Sequence, residues 1–176
     1  MGPVSLVARL ASGLDQLAER TGRIAAWLAL ALVLVTFGVV VLRYLFEIGS
    51  IALQESILYL HASVFLLGAA YTLKVDGHVR VDIIYRHLSR RSQAIVDLVG
   101  ALVLLLPVCS FLLWISWDYV ANAWSLHEGS RETGGLPYVY LLKTLIPVAA
   151  GLLILQGISQ ALASLAVLTG AAGEDA

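Results

Sequence analysis

Cysteine occurs once in this 176-residue chain, at Cys109, so no disulfide within the chain shapes its fold. Charge is just as scarce: Asp, Glu, Lys and Arg make up 13% of residues against 60% hydrophobic, and the mean hydropathy is +0.88, which excludes an ordinary soluble domain with a solvated surface. Also missing are a phosphate-binding glycine loop, paired cysteines, a nucleophile elbow and a zinc-binding helix, so no catalytic set can be assigned. His127, Glu128 and Glu132 lie close in sequence, but without the helical or paired spacing a metal site uses. The net charge of −1 names no partner, and nothing points to nucleic acid.

The missing charge is distributed unevenly. Four runs contain no Asp, Glu, Lys or Arg: Ile24 to Leu42 (19 residues), Ser56 to Leu73 (18), Leu98 to Trp117 (20) and Thr144 to Gly170 (27). Crossing about 30 Å of hydrocarbon as a helix takes roughly 20 residues. The runs lack the alternation of barrel strands. The fold class is therefore an all-α integral membrane protein with four transmembrane helices, expected over 24–46, 54–74, 94–118 and 137–169. Two amphipathic helices are expected beside them, over 1–21 and 82–91.

In the first, Leu6, Leu10, Leu14 and Leu17 share a stripe that suits the membrane interface, although a partly ordered tail fits too. Gly22 then allows a turn into the first span. In the second, Asp82 is a candidate N-cap, Ile84 and Leu88 share one face, and Arg86 and Arg90 share another. That helix would rest on the inner leaflet with its arginines near anionic lipid, or present a partner surface.

Cations are asymmetric across the spans. Arg9, Arg20, Arg23, Lys74, Arg80, Arg86, Arg90 and Arg91 fall on one side, and Arg43, Arg131 and Lys143 on the other, which predicts cytoplasmic N- and C-termini. Arg43 ends the first span and Glu55 opens the second at similar depth, so the two either form an interhelical ion pair or face headgroups separately. His61 lies deep in the second span, where a polar residue marks a pathway or bonds to a neighbouring helix. Lys74 suits the last turn of that helix, with Gly77 taking the left-handed conformation that closes it. In the third span Pro107 predicts a kink, and Trp114, Trp117 and Tyr119 suit an interface. Pro137 suits the first turn of the last helix, and Pro147 a bend within it. Gly157 and Ala161 form a small-residue pair that permits close helix approach, inside this chain or against another.

Taken together, the four spans, Arg43-Tyr44, Glu55, the passage G-A-A-Y-T-L-K-V-D-G-H-V-R-V-D from Gly68 to Asp82, and Pro137 with Pro147 resemble the DctQ-type small membrane subunit of tripartite ATP-independent periplasmic (TRAP) transporters. The resemblance covers roughly Ile24 to Leu168, and G-H-V-R-V-D is its most specific part. Members often carry two adjacent acids where this chain has Gln54-Glu55. It implies a non-catalytic scaffold in a bacterial or archaeal inner membrane, bound to a large membrane subunit that holds the substrate and sodium sites. A periplasmic binding protein would deliver an organic anion. This chain would need no cofactor of its own. Gly77, His78, Arg80, Asp82, Arg86, Arg90, Gly157 and Ala161 are the candidate contacts with partner or lipid. The alternative is a membrane-anchor subunit of a respiratory enzyme; haem ligation there would want two facing histidines within the spans, and only His61 is deep.

Overall fold

The computed structural model describes residues 3–77 and 85–170, with side chains from residue 12 onward within them. Its described residues form four long helices and no strands: α1 (Pro3–Leu45), α2 (Ile51–Lys74), α3 (Arg90–Ser125) and α4 (Val139–Leu168). All four are long and apolar enough to cross a membrane. The chain is thus a multi-pass, all-helical membrane protein.

The helices do not close into a symmetric bundle. α1 lies along α2, α4 packs against α1, α2 and α3, and α3 packs chiefly against α4. The solvent-accessible surface is 11,790 Å², whereas a compact soluble protein of 18.9 kDa would expose about 8,300 Å². The core is built from small residues: Ala70, Ala101, Ala123, Ala149, Ala150 and Ala161 are buried, and no large side chain among the described residues is fully so. Lipid tails are as apolar as leucine, so burying large side chains would gain little. Close backbone approach between small residues gains dispersion contacts instead.

Several boundaries differ from the sequence expectations. Helix α1 is continuous for 43 residues, about 64 Å at 1.5 Å per residue, so the expected turn at Gly22 is absent. Gly22 serves packing: a Cβ there would come within 2.7 Å of Tyr71 Cβ on α2 and run into the ring. The expected helix over 82–91 does not form across its described part. Residues 86 to 88 are turn and bend, and Ser89 caps a new helix at Arg90, its Oγ accepting from the Ser92 amide at 3.2 Å. His78, Arg80 and Asp82 lie outside the described residues, as does the proposed capping role of Asp82. Arg86 and Arg90 are exposed.

The expected disturbance at Pro107 takes a defined form. Within α3, residues Gly100–Leu105 are a π-helical stretch, and the Leu106 amide reaches back to the Ala101 carbonyl, five residues away. Proline supplies no amide and crowds the carbonyl four residues earlier, so a widened turn ahead of it relieves the clash. Pro137 lies before α4, which starts at Val139.

The end of α2 is also closed differently from expectation. Gly77 donates its amide to the Thr72 carbonyl at 2.8 Å and Asp76 to the Leu73 carbonyl at 3.2 Å, the paired bonds of a Schellman motif. The left-handed residue is Asp76 (φ 53°), not Gly77. The end of α3 repeats the arrangement with His127 (φ 45°) in that position.

Candidate functional site

Two clusters of polar side chains stand at opposite ends of the helices. The hairpin end holds the α1–α2 and α3–α4 connections. The N-terminal end holds the start of α1, the end of α2, the start of α3 and the end of α4.

At the hairpin end, α2 starts at Ile51, and Ser50 caps it by accepting the Leu53 amide at 3.4 Å. That start places Glu55 one turn inside the helix, facing the α3–α4 connection. Its carboxylate accepts hydrogen bonds from the Ser130 hydroxyl and from the Leu136 amide, the latter at 2.6 Å. The connection is folded to fit. Ser130 donates its amide to the Leu136 carbonyl at 2.9 Å, Gly135 donates to the Glu132 carbonyl at 3.0 Å, and Gly134 takes φ 83°. A Cβ on Gly135 would lie 2.6 Å from Ser130 Cβ and 2.8 Å from Glu55 Oε1, so only glycine lets the loop approach the carboxylate.

Of the two readings open for Arg43 and Glu55, the interhelical ion pair is not the contact seen: Glu55 is bonded to the α3–α4 connection. Glu128 of the connection pairs with Lys143 on α4, and the Lys143 ammonium also sits 4.0 Å from the Tyr119 ring centre. Trp124 donates its indole N–H to Thr144 at 2.8 Å and meets Tyr140 edge-on, with ring centres 4.7 Å apart.

At the N-terminal end the organising acid is Asp15 on α1. Its Oδ1 accepts from Gln156 Nε2 at 3.1 Å and from the Ser159 hydroxyl at 2.8 Å, both on α4 and both residues buried. Nearby, Tyr85 donates its hydroxyl to Asp97 at 2.6 Å, and Glu19 lies 3.3 Å from both Lys74 and Arg23. These elements surround a cavity of about 290 Å³ lined by Asp15, Lys74, Asp76, Arg90, Asp97 and Gln156 among others. The Gln156 side-chain oxygen is buried without a hydrogen-bond partner among the described residues, and a polar cavity of this size can hold the water it needs.

Asp15 was not among the sequence candidates. A signal existed: Gln156, Ser159 and Gln160 place polar groups on adjacent faces of a span, and such groups need an acceptor from another helix. The Gly157 and Ala161 face, open in sequence to either an internal or an external contact, is internal at Gly157. A Cβ there would stand 2.7 Å from Leu105 Cδ2 and 3.4 Å from Leu106 Cδ2, so this glycine admits the widened π stretch of α3. Ala161 is buried as well.

His61 bonds to no neighbouring helix. It is exposed on α2 and makes no hydrogen bond, ion pair or ring contact with the rest of the chain among the described residues.

The geometry is that of a set of long apolar helices with a polar latch at each end. Comparison with curated proteins finds no match, and comparison with solved structures finds none. A family model does match, over residues 15–167: that of the tripartite ATP-independent periplasmic transporters, DctQ component. The match runs from Asp15 of the N-terminal-end latch to the last turn of α4, taking in all four spans, and the chain therefore belongs to the DctQ family, the small subunits of TRAP transporters.

Proposed function

We propose that this chain is the non-catalytic scaffold subunit of a sodium-driven TRAP transporter, holding a larger membrane subunit in place while that subunit takes up an organic anion delivered by a periplasmic binding protein. The observation that carries the reading beyond the family is the open arrangement of the helices. A stand-alone carrier closes broken helices around a midplane site. Here α3 packs chiefly on α4, the core is mostly alanine with other small residues, and apolar side chains such as Phe37, Phe65 and Phe111 stand exposed along three helices. Such a slab can give a moving partner a fixed surface on one face while lipid covers the others. The sodium and substrate sites belong to that partner, and this chain carries no cofactor of its own.

The cation asymmetry supports an inner-membrane orientation with both termini cytoplasmic. The Glu55-clamped loop then faces the periplasm, where the binding protein arrives, and the Asp15 cluster faces the cytoplasm.

The test is affinity purification of the chain from native membranes in mild detergent, followed by mass spectrometry. A many-span protein at equal stoichiometry is the expected result. Recovery alone, or with redox subunits and a haem Soret band, would overturn the reading.

A further inference from the structure

Gln54, Leu58, His61 and Phe65 follow one another on α2 at spacings of four, three and four residues, which places them on one stripe. All four are exposed, Leu58 at 56% and Phe65 at 71%, while other sides of α2 pack against α1 and α4. His61 is ten residues from Ile51 and thirteen from Lys74, about 15 and 20 Å along the axis, so it stands near mid-bilayer.

That position is costly for an imidazole facing lipid. A neutral ring carries one donor and one acceptor, and hydrocarbon satisfies neither. The side chain is too short to reach headgroups as lysine or arginine does. Hydroxyls on the same helices solve the problem locally: Thr36 donates to the Leu32 carbonyl and Ser63 to the Tyr59 carbonyl, each at 2.7 Å. His61 makes no such bond. The outward faces of α1 and α3 differ in kind. Leu30, Val33 and Phe37 on one, and Leu102, Val103 and Phe111 on the other, are apolar and need nothing beyond lipid tails.

We propose that the Gln54 to Phe65 stripe of α2 is the seat of a transmembrane helix from the larger membrane subunit, a helix that presents a hydroxyl, amide or carboxyl group to His61 near the bilayer midplane. The proposal rests on the scaffold-subunit reading and adds to it the face of contact and the chemistry of the partner. The stripe gives the partner helix two apolar knobs, Leu58 and Phe65, on either side of one hydrogen-bonding group. Gln54 lies two turns from His61, near the headgroups, where it can add a second polar contact or be met by water.

The experiment places a photo-crosslinking residue at position 61 of the full chain in native membranes, with positions 37 and 111 as controls. Crosslinks from 61 to the large membrane subunit, with lipid adducts alone from 37 and 111, are expected. If the large subunit co-purifies but position 61 yields only lipid adducts or a second copy of this chain, the contact face is wrong while the subunit reading stands. If no many-span chain is recovered, both fall. As a second measurement, His61→Leu should lower recovery of the large subunit roughly threefold, the effect of one average interhelical hydrogen bond, and His61→Asn should restore part of it. Unchanged recovery with His61→Leu overturns the hydrogen bond to the partner.

Discussion

The two ends of the molecule use the same chemical device in different settings. At each end an acid on one helix accepts two hydrogen bonds from a distant part of the chain: Glu55 from Ser130 and Leu136 across 81 residues at most, Asp15 from Gln156 and Ser159 across 144 at most. Glu55 holds a loop, and one of its donors is a backbone amide. Asp15 holds a helix through two buried side chains on α4. The first latch sets the shape of a connection. The second fixes how α1 and α4 pack, so its loss should spread further.

That contrast can be sharpened by substitution. The largest effect should come from the packing itself: Gly157→Leu drives a side chain into Leu105 and Leu106 and should cost about 3 kcal/mol, read as a lower thermal unfolding midpoint of the purified chain. An unchanged midpoint would mean that α3 and α4 do not meet there. Next, Asp15→Ala removes the carboxylate that accepts from two buried α4 side chains and should destabilise by about 2 kcal/mol, with Asp15→Asn keeping part of the loss back. Glu55→Ala should act locally. Hydrogen exchange at the Leu136 amide should rise and proteases should cut within residues 126–138, with the unfolding midpoint nearly kept. If Asp15→Ala proves local and Glu55→Ala global, the contrast between the ends is reversed. Smallest of all, Glu19→Ala removes exposed contacts to Lys74 and Arg23 and should change stability by less than about 1 kcal/mol.

Much of the fold was legible because lipid allows so few solutions. Long uncharged runs must be helices that satisfy their own backbone, and the four spans follow. Partners of individual polar groups were far less legible. Arg43 and Glu55 are close in sequence and depth, yet Glu55 is taken by a loop some 80 residues on, and no local spacing encodes that choice. Gly22 reads as a turn when judged by propensity alone. Packing against Tyr71 overrides this, since a helix can carry a glycine for about 1 kcal/mol when a neighbouring ring fills the gap. At the end of α2, Gly77 has the conformational freedom but Asp76 takes the left-handed position. An aspartate tolerates that region better than most residues, and the hydrogen-bond register of the last turn decides which residue must enter it. The basic stretch after residue 85 is not one helix: a turn over residues 86 to 88 interrupts it, and Ser89 caps a fresh start at Arg90. His61 had a stated location from sequence, but its direction came only from knowing which sides of α2 are covered.

The unbroken course of α1 has a mechanical meaning. A bilayer sets the tilt of a helix only loosely, through mismatch and interfacial anchors, and a hinge would let the segments on either side settle separately. Between Pro3 and Leu45 there is no second proline to act as one. The first third of α1 and its membrane-crossing part therefore turn as a single lever, and the Asp15 latch, placed near one end of that lever, sets the angle at which the other end meets the opposite face of the membrane.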